Sequence, residues 1–344
     1  MSTADAEALR EQLRRDGRLR DPAARLIPLA GGVSSDIYLV EDGPDRFVVK
    51  RALPRLRVRD EWRADVRRND AERAYLETVD RLAPGSVPRV LFAHPAAGYF
   101  AMEYLGAGYA NWKRQLLDGV FAVATARTAG RWLGAIHRQT AGDAALRARF
   151  DTTANFHQLR TAPYLLTTGE RHPELREFFE VEARRLEATR ECLVHGDFSP
   201  KNLLVGADGR LVVLDCEVAW YGDPAFDVAF LLNHLLLKRL YHAPRGGALR
   251  ELVAACWQSY LGERPGLSAD WESRVTRLLL LLLLARVDGK SPVEYLDAAR
   301  ADLVRRFVAG SLPAGAWRLA ALVDAWFQHT ERPDLPARLR GAAA

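Results

Sequence analysis

The residues best suited to chemistry lie close together in the chain. Asp197 and Asn202 share the stretch His195-Gly196-Asp197-Phe198-Ser199-Pro200-Lys201-Asn202, and Asp215 opens Asp215-Cys216-Glu217 a little further on. Carboxylate and amide oxygens are hard ligands. They suit Mg²⁺, which is held by one or two carboxylates together with water and phosphate oxygens. An aspartate among them can accept the proton of an attacking hydroxyl. Asn202 and Asp215 can then hold metal on a nucleotide while Asp197 serves the acceptor, which is the division of labour in phosphoryl transfer.

Short apolar runs must position these groups. Leu193-Val194, Leu203-Leu204 and Leu211-Val212-Val213-Leu214 read as buried strands. The polar residues therefore sit on loops where strands end. A turn at Ala207-Asp208-Gly209 separates the second run from the third.

Upstream, Leu26 to Ala30 and Ile37 to Val40 read as strands around Gly31-Gly32-Val33-Ser34-Ser35-Asp36. Gly31, Gly32 and Ser34 allow backbone N–H groups to approach phosphates; the plain alternative is a hairpin turn. After a turn at Asp42-Gly43, Phe47 to Lys50 forms the next strand. Lys50 is placed to pair nucleotide phosphates, and a surface lysine on an edge strand is the competing reading. Helical spacing over Arg68–Leu82 offers Glu72, or alternatively Glu77, to hold Lys50. Val87 to Phe92 and Gly98 to Leu105 complete five strands with one long helix. The helix expected over residues 3–20, charged at most positions, reads as a solvated cap.

The combined pattern resembles the aminoglycoside phosphotransferase and choline kinase superfamily. Its marks are His-Gly-Asp, Asn five residues after that Asp, and Asp215-Cys216-Glu217 where protein kinases carry Asp-Phe-Gly. The resemblance implies an α+β, protein-kinase-like fold of two lobes. Residues 1–105 would form a nucleotide-binding lobe of antiparallel sheet plus helix, and 106–344 a larger, mainly helical catalytic and substrate lobe. It further implies ATP and Mg²⁺ as cofactors, with backbone groups near Glu103 and Leu105 meeting adenine. Glu217 would join Asn202 and Asp215 at the metal, and Asp227 would brace the catalytic loop. Lys50-Arg51-Ala52-Leu53-Pro54, then Arg57-Val58 and Trp62, is similar to the Trp-bearing loop of methylthioribose kinases. Trp62 would cover nucleotide or substrate, or else pack under the loop. Those kinases carry an Arg pair where this chain has Ala285-Arg286, and usually Ser where it has Asn202. Arg286 and Asp288 are thus substrate candidates, against a plain helix C-terminus.

The expected activity is ATP-dependent phosphorylation of a hydroxyl on a sugar, amino-sugar, cyclitol or related small metabolite. Methylthioribose kinase proper, an aminoglycoside-resistance phosphotransferase and a nucleotide-binding pseudokinase are the alternatives. The chain carries a net charge of +5, with 49% hydrophobic and 27% charged residues. Its Arg residues are interleaved with acids, so no nucleic-acid partner is expected. Three cysteines in no metal-ligand spacing read as buried thiols. Leu278 to Leu284 is too short an apolar run to span a bilayer. With no apolar leader in the first residues, the reading is a cytoplasmic protein, monomer or homodimer. His137 is expected to be a packed structural histidine. Beyond residue 217 helices are expected over 225–240, 248–261, 269–287, 292–309 and 315–329.

Overall fold

The computed structural model describes residues 3–29, 35–52, 68–243 and 245–331. The chain divides into two compact units, Met1–Gly108 with Asp215–Glu217, and Tyr109–Leu214 with Val218–Ala344.

Among the described residues the first unit is a five-stranded antiparallel sheet with two α-helices. Its elements are α1 (Thr3–Arg15), β1 (Arg25–Pro28), β2 (Ser35–Asp42), β3 (Asp45–Ala52), α2 (Arg68–Leu82), β4 (Val90–His94) and β5 (Tyr99–Glu103). The strands lie in the order β1-β2-β3-β5-β4. Period-2 alternation divides β3 between the two faces. Phe47 and Val49 join Tyr38, Val40, Tyr99 and Ala101 in one core cluster, which also takes Leu9 and Leu13 from α1. Helix α1 is therefore not merely a solvated cap. Its leucines, four residues apart, give it an apolar stripe seated on the sheet. Lys50 alternates to the opposite face, where α2 turns Glu72 inward. Lys50 pairs across the sheet with Ile37 and Phe100. A slip of one residue in that register would move its ammonium into the apolar core. β4 begins at Val90, not Val87, since Pro88 has no N–H for a ladder.

The second unit is mainly helical. It opens with β6 (Tyr109–Asn111), α3 (Trp112–Leu117), α4 (Val123–Thr140) and α5 (Ala144–Arg149). Next, α6 (Thr153–Phe156), a π-helical stretch (His157–Leu166) and α7 (Thr167–Arg171) run on without a break, followed by α8 (Arg176–Ala188). Then come β7 (Cys192–Val194), β8 (Leu203–Gly206), β9 (Leu211–Val213), β10 (Trp220–Gly222), α9 (Ala225–Tyr241) and α10 (Leu249–Glu263). α11 (Ala269–Asp288), α12 (Ala298–Ser311) and α13 (Leu319–Thr330) complete the unit. Strands β6, β8 and β9 form one small sheet, and β7 pairs with β10.

Helix α9 is buried from Ala225 to Leu240, and α11 buries the run Leu278–Leu284. Helices apolar on all sides belong inside a core. Among the described residues no helix is long and apolar enough to cross a membrane. α4 and α10 meet closely because Gly130 has no side chain: a Cβ there would lie 2.1 Å from the Cys256 carbonyl oxygen. α12 starts at Ala298, six residues later than the spacing suggests. Asp297 accepts the Arg300 N–H at 2.9 Å and caps the helix there. Cys192, Cys216 and Cys256 are buried free thiols, and burial raises the pKa of each.

Candidate active site

Within the first unit, four of the residues singled out by sequence converge. Lys50 Nζ lies 2.7 Å from Glu72 Oε2 and 2.7 Å from Asp215 Oδ1. Glu77, the alternative partner, pairs instead with Arg73 one turn back on α2. Glu217 accepts a 3.0 Å hydrogen bond from Arg68 Nε at the start of α2. Burial opposes the Lys50 ammonium, but the Asp215 and Glu72 carboxylates outweigh it and hold its pKa well above the ordinary value. For Glu72, burial dominates and raises the carboxyl, with Lys50 opposing. Lys50 thus remains a fixed positive charge at neutral pH.

Asp215 differs from its companions in two ways. Its side chain is 32% exposed, whereas those of Lys50 and Glu72 are 3% and 2% exposed. It is also the one non-glycine residue with positive φ among those described, at 60°. That conformation costs about 1 kcal/mol or more. Strain of this kind persists where surrounding structure over-determines it, often at functional positions.

Glu103 ends β5, and its carboxylate lies 3.5 Å from Arg89 Nε. Leu105 lies two residues on, half-buried, ahead of the turn at Ala107–Gly108. Gly31, Gly32, Ser34 and Trp62 lie outside the described residues.

In the second unit the loop after β7 is held from beneath by Asp227 of α9. Its carboxylate accepts the His195 N–H at 2.7 Å and the Gly196 N–H at 2.9 Å. Hydrogen bonds to a charged acceptor contribute about 1.5–3 kcal/mol each, so this buried carboxylate fixes the loop firmly. His137 backs Asp227 at 3.3 Å and bonds the Tyr260 hydroxyl at 3.1 Å. Burial depresses the His137 pKa, as befits a packed structural imidazole. Asp223 accepts the Ala225 N–H at 2.8 Å and starts α9. Gly196, at φ 76°, passes so close to Val218 that a Cβ would lie 2.6 Å from its carbonyl oxygen. The His195 ring then orders the turn. Its Nδ1 accepts the Asp197 N–H at 3.1 Å, which leaves Nε2–H to donate to the Leu214 carbonyl at 3.1 Å.

Asp197 emerges from this frame with a 5% exposed side chain. Its Oδ2 lies 2.9 Å from Arg160 and 2.9 Å from Lys201. Asn202 donates through Nδ2 to the Asp197 carbonyl at 3.0 Å. That bond orients the amide, and among the described residues nothing donates to its oxygen. The Asn202 carbonyl accepts the Leu214 N–H at 2.8 Å, and Leu214 directly precedes Asp215 in the chain.

Arg286 is buried at the end of α11, bonded to the Tyr164 hydroxyl at 3.2 Å and to Ser291. Asp288 is held by Arg305 at 2.6 Å and His172 at 2.8 Å, so its carboxylate is engaged within the fold. Sequence reasoning missed Arg160 and Arg68 as partners of the key acids. Arg160 had one available signal, a charge set in the apolar run Phe156, Leu159, Tyr164, Leu165. Arg68, at the boundary of α2, had none.

No group of three or more His, Cys, Asp or Glu able to hold a metal occurs among the described residues.

Comparison with known proteins gives a consistent result. A family model described as the phosphotransferase enzyme family matches residues 25–274. Methylthioribose kinase of Yersinia pseudotuberculosis (serotype O:1b) is 26% identical over 260 residues, covering 66% of this chain and 63% of that kinase. The Pectobacterium carotovorum methylthioribose kinase is 28% identical over 272 residues, covering 68% of this chain and 66% of its own. The chain thus spans less than two thirds of the length of these relatives. Among solved structures, amicoumacin kinase hAmiN in complex with AMP-PNP, Ca²⁺ and Ami superposes with a TM-score of 0.56 at 15% identity, covering 92% of this chain and 97% of its own. A choline/ethanolamine kinase family protein from Mesorhizobium loti gives 0.51 at 17% identity, covering 94% and 99%. At such identities the likeness is one of fold.

Proposed function

Because this chain belongs to the phosphotransferase enzyme family, we propose that it transfers the terminal phosphoryl group of ATP to a hydroxyl of a small molecule such as a sugar, amino-sugar or cyclitol. The observation that carries the reading is the ion-paired Lys50, held in its charged form between Glu72 and Asp215. A lysine so fixed suits the phosphates of a nucleotide.

Asn202 and Asp215 would hold Mg²⁺. The fit rests on their donors, an amide whose nitrogen is already committed and a carboxylate partly open to solvent. When bound, the ion neutralises charge on the nucleotide's phosphates. Glu217 would join Asn202 and Asp215 at the metal; its carboxylate, tied to Arg68 through Oε2, has acceptor capacity for both. Asp197 orients the acceptor hydroxyl and takes its proton. Arg160 and Lys201 hold its carboxylate in place until then. Transfer needs little basicity from Asp197 when the transition state is loose.

The test is release of ADP from MgATP across a panel of sugars, methylthioribose, choline, homoserine and aminoglycosides. One or more acceptors should stimulate ADP release. Tight ATP binding with no stimulation by any of them, and none in the presence of cell metabolite extract, would instead favour a nucleotide-binding pseudokinase.

A further inference from the structure

The second unit buries two cations that no carboxylate among the described residues pairs. Lys238 of α9 is fully buried. Its ammonium lies 5.0 Å from the centre of the Tyr295 ring and reaches only the His234 carbonyl one turn back, at 3.4 Å. Among the described residues no carboxylate pairs with it. Arg286 is likewise buried and, among the described residues, bonded only to neutral groups, Tyr164 and Ser291, with no partner for its Nε. The Tyr164 ring connects this charge to the proposed catalytic loop. The Arg286 guanidinium lies 5.5 Å from its centre and that of Arg160 lies 5.4 Å from it, while Arg160 also pairs with Asp197. Lys113, which acts electrostatically on Lys238, is paired with Glu294.

Buried charges are normally paired, because an isolated ion loses several kcal/mol of hydration. Here two cations go without. Two further buried polar atoms, His234 Nε2 and Tyr295 Oη, also lack partners. Such orphaned atoms in one neighbourhood mark a place where a missing group belongs. We propose that Lys238 and Arg286 bind an anionic group, a carboxylate or a phosphate monoester, carried by the hydroxyl compound that the enzyme phosphorylates. This rests on the phosphotransfer reading and narrows its acceptor to an acidic metabolite rather than a polyamine. Burial, reinforced by Lys113 and Arg286 and opposed by Glu294, depresses the Lys238 pKa to about 7. An arriving anion would restore its proton.

Calorimetric titration of the full chain tests this with ADP and Mg²⁺ present, so that the nucleotide's own site is filled. The probes are D-ribose 5-phosphate and D-gluconate, with D-ribose and D-glucose as uncharged counterparts. At least one anionic probe should bind saturably, and its identity tells phosphate from carboxylate. Lys238→Met should weaken that binding by at least about thirtyfold, with ADP affinity preserved and a melting temperature no lower than that of the wild type. Arg286→Met should weaken it similarly. Equal binding of charged and uncharged probes, no binding of either anion, or unaltered binding by Lys238→Met would overturn the proposal. The ADP titration in the same series reports on the phosphotransfer reading by itself, so the two fail separately.

Discussion

The two units treat charge in opposite ways. In the first, one cation is divided among carboxylates: Lys50 stands between Glu72 and Asp215. In the second, one carboxylate is divided among cations: Asp197 stands between Arg160 and Lys201. The supports differ too. Lys50 is fixed by strand register and a helix, whereas Asp197 is carried on a loop whose backbone N–H groups are held by Asp227. A permanently charged lysine suits a polyphosphate. An aspartate held by one buried arginine and one half-exposed lysine suits a group that must exchange partners when an acceptor arrives. The contrast says that substitutions in the first unit should act on nucleotide, and substitutions in the second on acceptor and turnover.

Asp197→Asn should have the largest effect. Turnover should fall by about 10²–10⁴-fold, the usual share of a general base, with the KM for ATP nearly unchanged in a coupled ADP assay. Lys50→Met should follow, with kcat/KM for ATP reduced by about 10²-fold and the acceptor KM little altered. If instead Lys50→Met spared ATP and raised the acceptor KM, the contrast between the units would break.

Asp227→Ala tests the supports. It orphans the His195 and Gly196 N–H groups and should cost about 2–4 kcal/mol by chemical denaturation, compared with near-silent loss of the exposed Arg250–Asp324 pair. Lys238→Met should do the reverse and stabilise the protein by about 1–4 kcal/mol near neutral pH. The native pKa of Lys238 is depressed to about 7 from 10.5, so the unfolded chain binds more protons between those values. Wild-type stability is therefore penalised below pH 7 and recovers as pH rises toward 10.5. The advantage of Lys238→Met should shrink over that window when melting curves are followed against pH.

The smallest and sharpest comparison is Asp215→Gly against Asp215→Ala. Both lose the carboxylate, but only glycine relaxes a φ of 60°. The glycine variant should be the more stable by about 1 kcal/mol, and both should be defective in turnover.

Much of this was legible in the chain, and the physical reasons differ by element. Helix α2 matches its expected span from Arg68 to Leu82 because its apolar positions recur at helical intervals. The five strands and the Lys50–Glu72 pair follow from alternation and from the helix face that Glu72 occupies. Asp297 carried a capping signal that the spacing argument passed over, so α12 was begun too early. The π-helical stretch around Pro163 had no signature, since a stretch of ten residues holds too few widened turns for their longer period to show. Pairs such as Arg68 with Glu217 and Arg160 with Asp197 join residues far apart in the chain. Local pattern carries no information on such contacts, and the buried charge of Lys238 was hidden for the same reason.

The central claim is phosphoryl transfer to a hydroxyl with Asp197 serving the acceptor. Its most direct test is mass spectrometry of an acceptor that stimulates ATP turnover, with nucleotide products resolved alongside. The account predicts one phosphoryl group gained per ADP formed, and at least about a hundredfold less product per unit time with Asp197→Asn. An acceptor that gains a nucleotidyl group with release of pyrophosphate, or an Asp197→Asn enzyme as fast as wild type, would contradict it.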